Sequence, residues 1–180
     1  MDEQRLAELC RRKDDTAWSE LYRSYASRLR AVSVRYMQDK EDAEDVLQDA
    51  FVRMFDNIGS FSYQGEGSLW AWMKRITVNT ALMELRKSHS LALVPLEEAD
   101  PVVEPDAESV RQIPQKDLLA MIAELPVGSR AVLNLFCIEG YSHKEIARML
   151  HIKEKSSSSQ LARARRVLSK RIGEYMKNGE

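Results

Sequence analysis

An all-α protein, built of two small helical domains joined by an acidic, proline-containing linker, is predicted by three observations. Apolar residues recur at spacings of three and four through most of the chain. Glycine and proline are scarce, seven and five in 180 residues. The helical pattern fails over one long stretch, Leu91 to Gln112, where Pro95, Pro101 and Pro105 rule out a continuous helix and six acids stand between Glu97 and Glu108 with no base. The expected boundaries are residues 1–90, a linker at 91–112 and residues 113–180.

Hydrophobic residues make up 44% of the chain and charged residues 31%, with a formal net charge of −1. A nearly neutral chain can engage nucleic acid only if its acids and bases are segregated. Cys10 and Cys137 are far apart, each in an amphipathic pattern, so no disulfide framework is expected and a reducing cytoplasm is the default location. No signal peptide and no apolar run near eighteen residues is present, so membrane insertion is not expected.

Taken in order, Leu6, Leu9, Cys10, Ala17, Leu21 and Tyr22 predict one short helix and the start of a second, continued by Trp18, Tyr25 and Leu29. Asp39 can cap a helix from Lys40 to Ile58, whose core stripe is Ala43, Val46, Leu47, Ala50, Phe51, Met54, Phe55 and Ile58, with Gly59 as its stop. The opposite face carries Asp45, Gln48, Asp49, Val52 and Asp56, and between Asp39 and Asp49 there are six acids and one base. Acids in a first turn suit the helix dipole, which accounts for Asp39, Glu41 and Asp42 without any partner. It does not account for Val52, an aliphatic residue in an acidic stripe, which points to a protein partner with a basic and apolar surface.

Phe61 to Ser68 reads as a loop by its two glycines and holds Phe61, Tyr63 and Gln64. A helix from Leu69 to Lys87 follows, apolar on most sides. Along it Trp72, Arg75, Asn79 and Arg86 fall on one line, with Lys87 beside them. Aromatic planes, guanidiniums and amides stack on unpaired bases, clamp phosphates and hydrogen-bond base edges. Singly, Trp72 also suits a core, and Arg86 with Lys87 suits a helix C-terminus. The acidic linker reads either as a solvated tether or as a polyanion occupying a channel built for nucleic acid.

Leu118, Leu119, Ile122 and Leu125, then Val132, Leu133, Leu135 and Phe136, predict two helices broken at Pro126 to Gly128. Ser142 with Glu145 forms a capping box opening a short helix with Ile146, Ala147, Met149 and Leu150 inward. The chain then turns at His151, and Ser156 starts a helix with Leu161, Ala164, Leu168 and Ile172 as its buried stripe. Between His151 and Lys177 eight Lys or Arg oppose two acids. A helix-turn-helix with a cationic second helix places Lys155, Ser156, Ser158, Ser159, Gln160, Arg163 and Arg166 where phosphates and base edges could be met, although a solvated cationic face has the same composition. The three histidines and two cysteines have no zinc-ligand spacing, and no Walker loop or nucleophile elbow is present, so neither a metal nor a cofactor nor enzymatic chemistry is expected.

Three blocks, Asp42 to Ile58 (DAEDVLQDAFVRMFDNI), Tyr63 to Asn79 (YQGEGSLWAWMKRITVN) and Gly140 to Leu168 (GYSHKEIARMLHIKEKSSSSQLARARRVL), resemble in order and separation those of extracytoplasmic-function (ECF) sigma factors of bacterial RNA polymerase. The wording Ser157 to Gln160 is similar to a Bacteroidetes-type branch. The resemblance implies sigma region 2 in residues 1–90 and sigma region 4 in residues 113–180. It implies that Asp42, Asp45, Gln48, Asp49, Val52 and Asp56 dock on the clamp helices of the largest catalytic polymerase subunit. It further implies that Phe61, Tyr63, Gln64, Trp72, Arg75, Asn79, Arg86 and Lys87 bind and melt the minus-ten element, the loop holding a flipped base. The cationic helix would enter the major groove at the minus-thirty-five element, with the C-terminal domain on the flap of the second largest subunit, the linker in the polymerase cleft and an anti-sigma factor as a further partner. The sequence departs from the family at His151 and Lys155, which replace glycines, and at Ser158, where lysine is frequent; histidine tolerates a left-handed turn, so the fold is expected to survive. A stand-alone helix-turn-helix regulator would explain the basic helix but neither of the first two blocks, and a purely structural interaction protein would show no DNA preference.

Overall fold

The computed structural model describes residues 2–37, 39–87 and 107–178, and all regular structure among them is helical. The chain divides into two compact units, Met1–Lys87 and Ser88–Glu180. The three linker prolines and the acids Glu97, Glu98, Asp100, Glu104 and Asp106 lie outside the described residues.

Among the described residues the first unit has four α-helices, α1 (Glu3–Arg11), α2 (Asp15–Tyr36), α3 (Lys40–Asn57) and α4 (Ser68–Lys87). Three begin on an aspartate. The carboxylates of Asp2, Asp14 and Asp39 accept from the backbone N–H of Arg5, Ala17 and Glu41 at 2.8, 2.8 and 2.6 Å, satisfying donors that a helix start leaves unpaired. The core draws Leu21 and Leu29 from α2, Leu47, Ala50 and Met54 from α3, and Leu69 and Met73 from α4, with Leu6, Ala7 and Cys10 of α1 sealing one side. Truncating any of the large ones to alanine costs about 2–5 kcal/mol.

Two expectations for α3 are corrected. Phe51 is only half-buried and Phe55 is 44% exposed, because the stripe they belong to turns out of the core at its α2 side. Gly59 is not a left-handed stop: α3 tightens into a 3₁₀ turn, Ile58–Ser60, which ends where Phe61 becomes extended and its N–H reaches Ile58 O at 3.2 Å.

Among the described residues the second unit has five helices, α5 (Ala107–Gln112), α6 (Gln115–Ala123), α7 (Val127–Leu133), α8 (His143–Leu150) and α9 (Glu154–Asn178), with α7 continuing as a π-helical turn, Asn134–Ile138. The last six residues of the expected linker are helical rather than extended: α5 starts two residues after the last linker proline and leads into buried Ile113. Pro114 and Pro126 stand at the N-caps of α6 and α7, where the missing N–H costs nothing. The core joins Leu125, Val132, Leu135, Ile146, Leu150, Leu161, Ala164 and Ile172, so that α9 packs on α7 and α8. Arg130 is buried with them; its Nη1 donates to Ala123 O at 2.5 Å, and burial lowers the pKa of its guanidinium. No helix among the described residues is long and apolar enough to cross a membrane.

Candidate nucleic-acid interface

In the first unit the outer face of α3 is acidic as read: Asp42, Asp45, Gln48, Asp49 and Asp56 are exposed. Asp42, Asp45, Gln48 and Asp49 line a cleft of about 240 Å³ shared with Thr80 and Glu84 of α4. Val52 is 60% exposed, and its setting is apolar rather than acidic. It lies on the rim of a groove of about 710 Å³ between α2 and α3, walled by Trp18, Tyr22, Phe51 and Phe55. The rings pair across that groove, Trp18 with Phe55 at 5.1 Å and Tyr22 with Phe51 at 4.8 Å.

The loop between the 3₁₀ turn and α4 is shaped by glycine and serine. Gly65 and Gly67 take φ of 114° and 84°, values open to glycine and strained for other residues. Ser68 Oγ donates to Gly65 O at 2.6 Å and accepts from Gln64 N–H at 3.2 Å. Tyr63 and Gln64 are thereby presented to solvent. Phe61 is not. It is 4% exposed, belongs to the core and packs on Trp72 at a centroid distance of 5.5 Å, so its expected contact with a base is corrected to a supporting role.

Between α3 and α4 lies an open cleft of about 370 Å³ lined by Arg53, Asn57, Ser60, Trp72, Ile76, Asn79, Thr80 and Met83. It brings together Trp72 and Asn79 from the expected stripe. Arg75 is exposed but not among the lining residues, and Arg86 and Lys87 lie at the far end of α4, Lys87 paired with Glu84 at 3.2 Å. Arg53, Asn57, Ser60 and Thr80 were not singled out in the sequence. Their polarity within an amphipathic helix looks like ordinary surface, and only the packing of α3 on α4 turns them towards one space.

In the second unit Ser142 and Glu145 form the capping box: Ser142 N–H and Oγ donate to the Glu145 carboxylate at 2.8 and 2.7 Å, which lowers that carboxylate's pKa. His151 closes α8 in the left-handed conformation, φ 56° and ψ 43°. The following helix begins at Glu154, two residues before the expected Ser156. Lys155 and Ser158 are exposed, and Ser156, Ser159, Arg163 and Arg166 are half-buried. The Ser158 and Ser159 hydroxyls donate back to Glu154 O and Lys155 O, at 3.4 and 3.0 Å. Gln160 is a correction. It is 6% exposed, and its Oε1 accepts from Ser129 Oγ at 2.6 Å, so it ties α9 to α7 and has no face left for DNA. Ser157 is likewise buried, 2.9 Å from His143 Nδ1, whose ring stacks on Phe136 at 4.6 Å.

These features define a class: an all-α protein of two units, one with an acidic helix face, a glycine loop and a cleft of mixed polar and apolar lining between α3 and α4, the other ending in a helix-turn-helix. Sigma-70 region 2 matches residues 21–90, and Sigma-70, region 4 matches residues 115–168. The ECF RNA polymerase sigma factor SigM of Mycobacterium tuberculosis is 33% identical over 166 residues, 92% of this chain and 82% of the relative. The RNA polymerase sigma-H factor of Pseudomonas aeruginosa is 27% identical over 187 residues, 94% and 93% of the two chains. The fold is shared with the sigma factor RpoE solved with the anti-sigma factor NepR from Bartonella quintana, at a TM-score of 0.50 and 19% identity over 84% of this chain and 94% of that one. The chain belongs to the ECF sigma factors of bacterial RNA polymerase. It is a transcription-initiation factor that binds core polymerase and directs promoter recognition and melting, and it performs no catalysis itself.

Proposed function

We propose that the two units divide promoter recognition between them. The exposed acids of α3, with Val52, dock on the clamp helices of the largest catalytic polymerase subunit. A base extruded from the minus-ten element enters the space beside Tyr63 and Gln64, where Trp72 offers an aromatic wall and Asn79 an amide. Arg75, Arg86 and Lys87 hold the phosphates along α4. The outward residues Lys155, Ser156, Ser158, Ser159, Arg163 and Arg166 of α9 meet the minus-thirty-five element, while the C-terminal unit rests on the flap of the second largest subunit. The protein works in the cytoplasm, under an anti-sigma factor, as its relative RpoE was solved with NepR, and the Ser157 to Gln160 wording resembles a Bacteroidetes-type branch.

The observation that carries this reading is the cleft of about 370 Å³ between α3 and α4, with Trp72 and Asn79 in its wall. Unstacking a base costs a few kcal/mol, and a pocket that stacks and hydrogen-bonds the extruded base offsets that cost only for the right sequence. Melting is then driven by capture. Trp72→Ala and Asn79→Ala are expected to reduce permanganate reactivity of the minus-ten element by about tenfold or more while leaving initial binding within about twofold, a difference of roughly 1.4 kcal/mol or more placed on the melted state. Core polymerase from a Bacteroidetes bacterium, a promoter found by run-off transcription, and parallel gel-shift and footprinting assays make the comparison. Equal losses in both assays would count against base capture.

A further inference from the structure

The shortest helix of the first unit, α1, lies ahead of residues 21–90, the part that matches region 2. Two of its charged side chains spend their hydrogen bonds on backbone at either end of the glycine loop. At the C-terminal end of α1, Arg11 donates through Nε to Ile58 O at 3.5 Å and through Nη2 to Phe61 O. Near its N-terminus, Glu3 Oε2 accepts from Gly67 N–H at 2.9 Å and Leu69 N–H at 3.3 Å, where α4 begins. Glu3 is itself held, since Tyr25 Oη of α2 donates to its other oxygen at 3.2 Å. Burial, then the charge of Glu3 and this hydrogen bond, keep the Tyr25 phenol protonated beyond its ordinary range. Eight residue steps of helix carry the chain from Glu3 to Arg11, about 12 Å along the axis. The helix between them is anchored by buried Leu6, Ala7 and Cys10, and Trp18 Nε1 of α2 donates to Cys10 O at 3.1 Å.

We infer that α1 is a brace for the base-capture loop, with Glu3 and Arg11 as positioning residues that fix its two ends and, through them, the walls of the cleft. The inference rests on the base-capture reading above. The path from Arg11 is short: it holds the Phe61 carbonyl, the Phe61 ring packs on Trp72, and Trp72 lines the cleft. The path from Glu3 runs through the first turn of α4, the helix that carries Trp72 and Asn79. Neither side chain lines the cleft, so neither needs to touch DNA. A loop with two glycines in the left-handed half of conformational space has many alternatives to this shape, and backbone contacts from a rigid helix remove them.

The test uses the full chain bound to core polymerase and forked promoter DNA carrying each of the four bases at every minus-ten position. Asn79→Ala identifies the captured base as the position at which discrimination collapses; no collapse at any position would overturn base capture, and the brace with it. Given a captured base, Glu3→Ala is expected to lower discrimination at that position by about tenfold, the scale of one charge-assisted hydrogen bond. Arg11→Ala should lower it less, because Arg11 is the more exposed of the two. Core affinity and discrimination at the minus-thirty-five element should stay within about twofold, a shift of under half a kcal/mol. Glu3→Gln and Arg11→Lys, which keep an acceptor and a donor, should recover part of the loss. Amide exchange at Gly67 and Leu69 should quicken in Glu3→Ala while α3 keeps its protection. Unchanged discrimination in both alanine variants beside a collapsed Asn79→Ala would overturn the brace and leave base capture standing. A uniform loss of core binding, discrimination at both elements and thermal stability would also overturn it, leaving α1 a merely structural helix.

Discussion

Cys10 shows how a single side chain reports on the packing of α1. It is fully buried, and a thiolate there would lose its water and face the charge of Asp14, so the thiol is pushed up from its ordinary 9.0 to about 11. Because the folded value lies above the unfolded one, the stability held by the protonated thiol is intact below pH 9 and declines as pH climbs towards about 11. Cys137 is exposed on the π-helical turn. Alkylation near pH 8 followed by mass spectrometry is therefore expected to label Cys137 and spare Cys10, with both labelled in denaturant; rapid native labelling of Cys10 would show that α1 opens readily. At this scale the sequence was legible wherever a residue acts on its own neighbours. The Ser142 and Glu145 capping box spans four residues, and the left-handed histidine follows from the need to turn between two apolar runs. Phe61 and Gln160 were misread because their partners, Trp72 and Ser129, lie 11 and 31 residues away, and no local pattern distinguishes a solvent-facing glutamine from one bonded across a core.

Helix α3 serves three neighbours at once. One stripe is core, a second is the acidic face, and a third, through Phe51, Val52 and Phe55, walls the apolar groove against α2. Periodicity revealed the first two. Of the third, Phe51 and Phe55 were folded into the core expectation and Val52 into the acidic face, because the wide apolar stripe of a helix does not state where its packed part ends. The acids are exposed, and isolated surface charges contribute little to folding, so changing one tests docking rather than stability. Asp45→Lys reverses a charge in the middle of the face. It is expected to weaken core binding by about tenfold, mainly through slower association, with less loss at high salt. Thermal melting should barely move. Fluorescence binding to core polymerase at two salt concentrations decides it, and a wild-type affinity would remove α3 as the docking face. By contrast, the role of α1 left no mark in the sequence, since Glu3 and Arg11 contact backbone groups, which every residue carries.

Across the whole molecule, a net charge of −1 conceals opposed parts. Residues 1–87 carry fourteen Lys or Arg against fifteen Asp or Glu, residues 88–112 one against six, and residues 113–180 twelve against seven. The division into two helical units was legible because composition changes abruptly between them; the helix at Ala107–Gln112 was not, because three upstream prolines and a run of acids mask six residues that can still form a turn and a half. The charge division has a consequence for DNA binding. The basic unit alone is attracted to phosphates, whereas in the full chain the acidic stretch beside it adds long-range repulsion without a compensating attraction from the balanced first unit. A fragment of residues 107–180 should therefore bind random duplex DNA severalfold more tightly than the full chain at about 50 mM salt, and the two should converge by about 200 mM as the interaction is screened. Anisotropy titrations of one labelled duplex with both proteins measure the gap. Convergence would mean that the acids act by charge at a distance, so that core polymerase, by engaging the acidic segment, could relieve the block as it recruits the factor. A gap that persists unchanged at high salt would mean instead that the remainder of the chain obstructs α9 by contact.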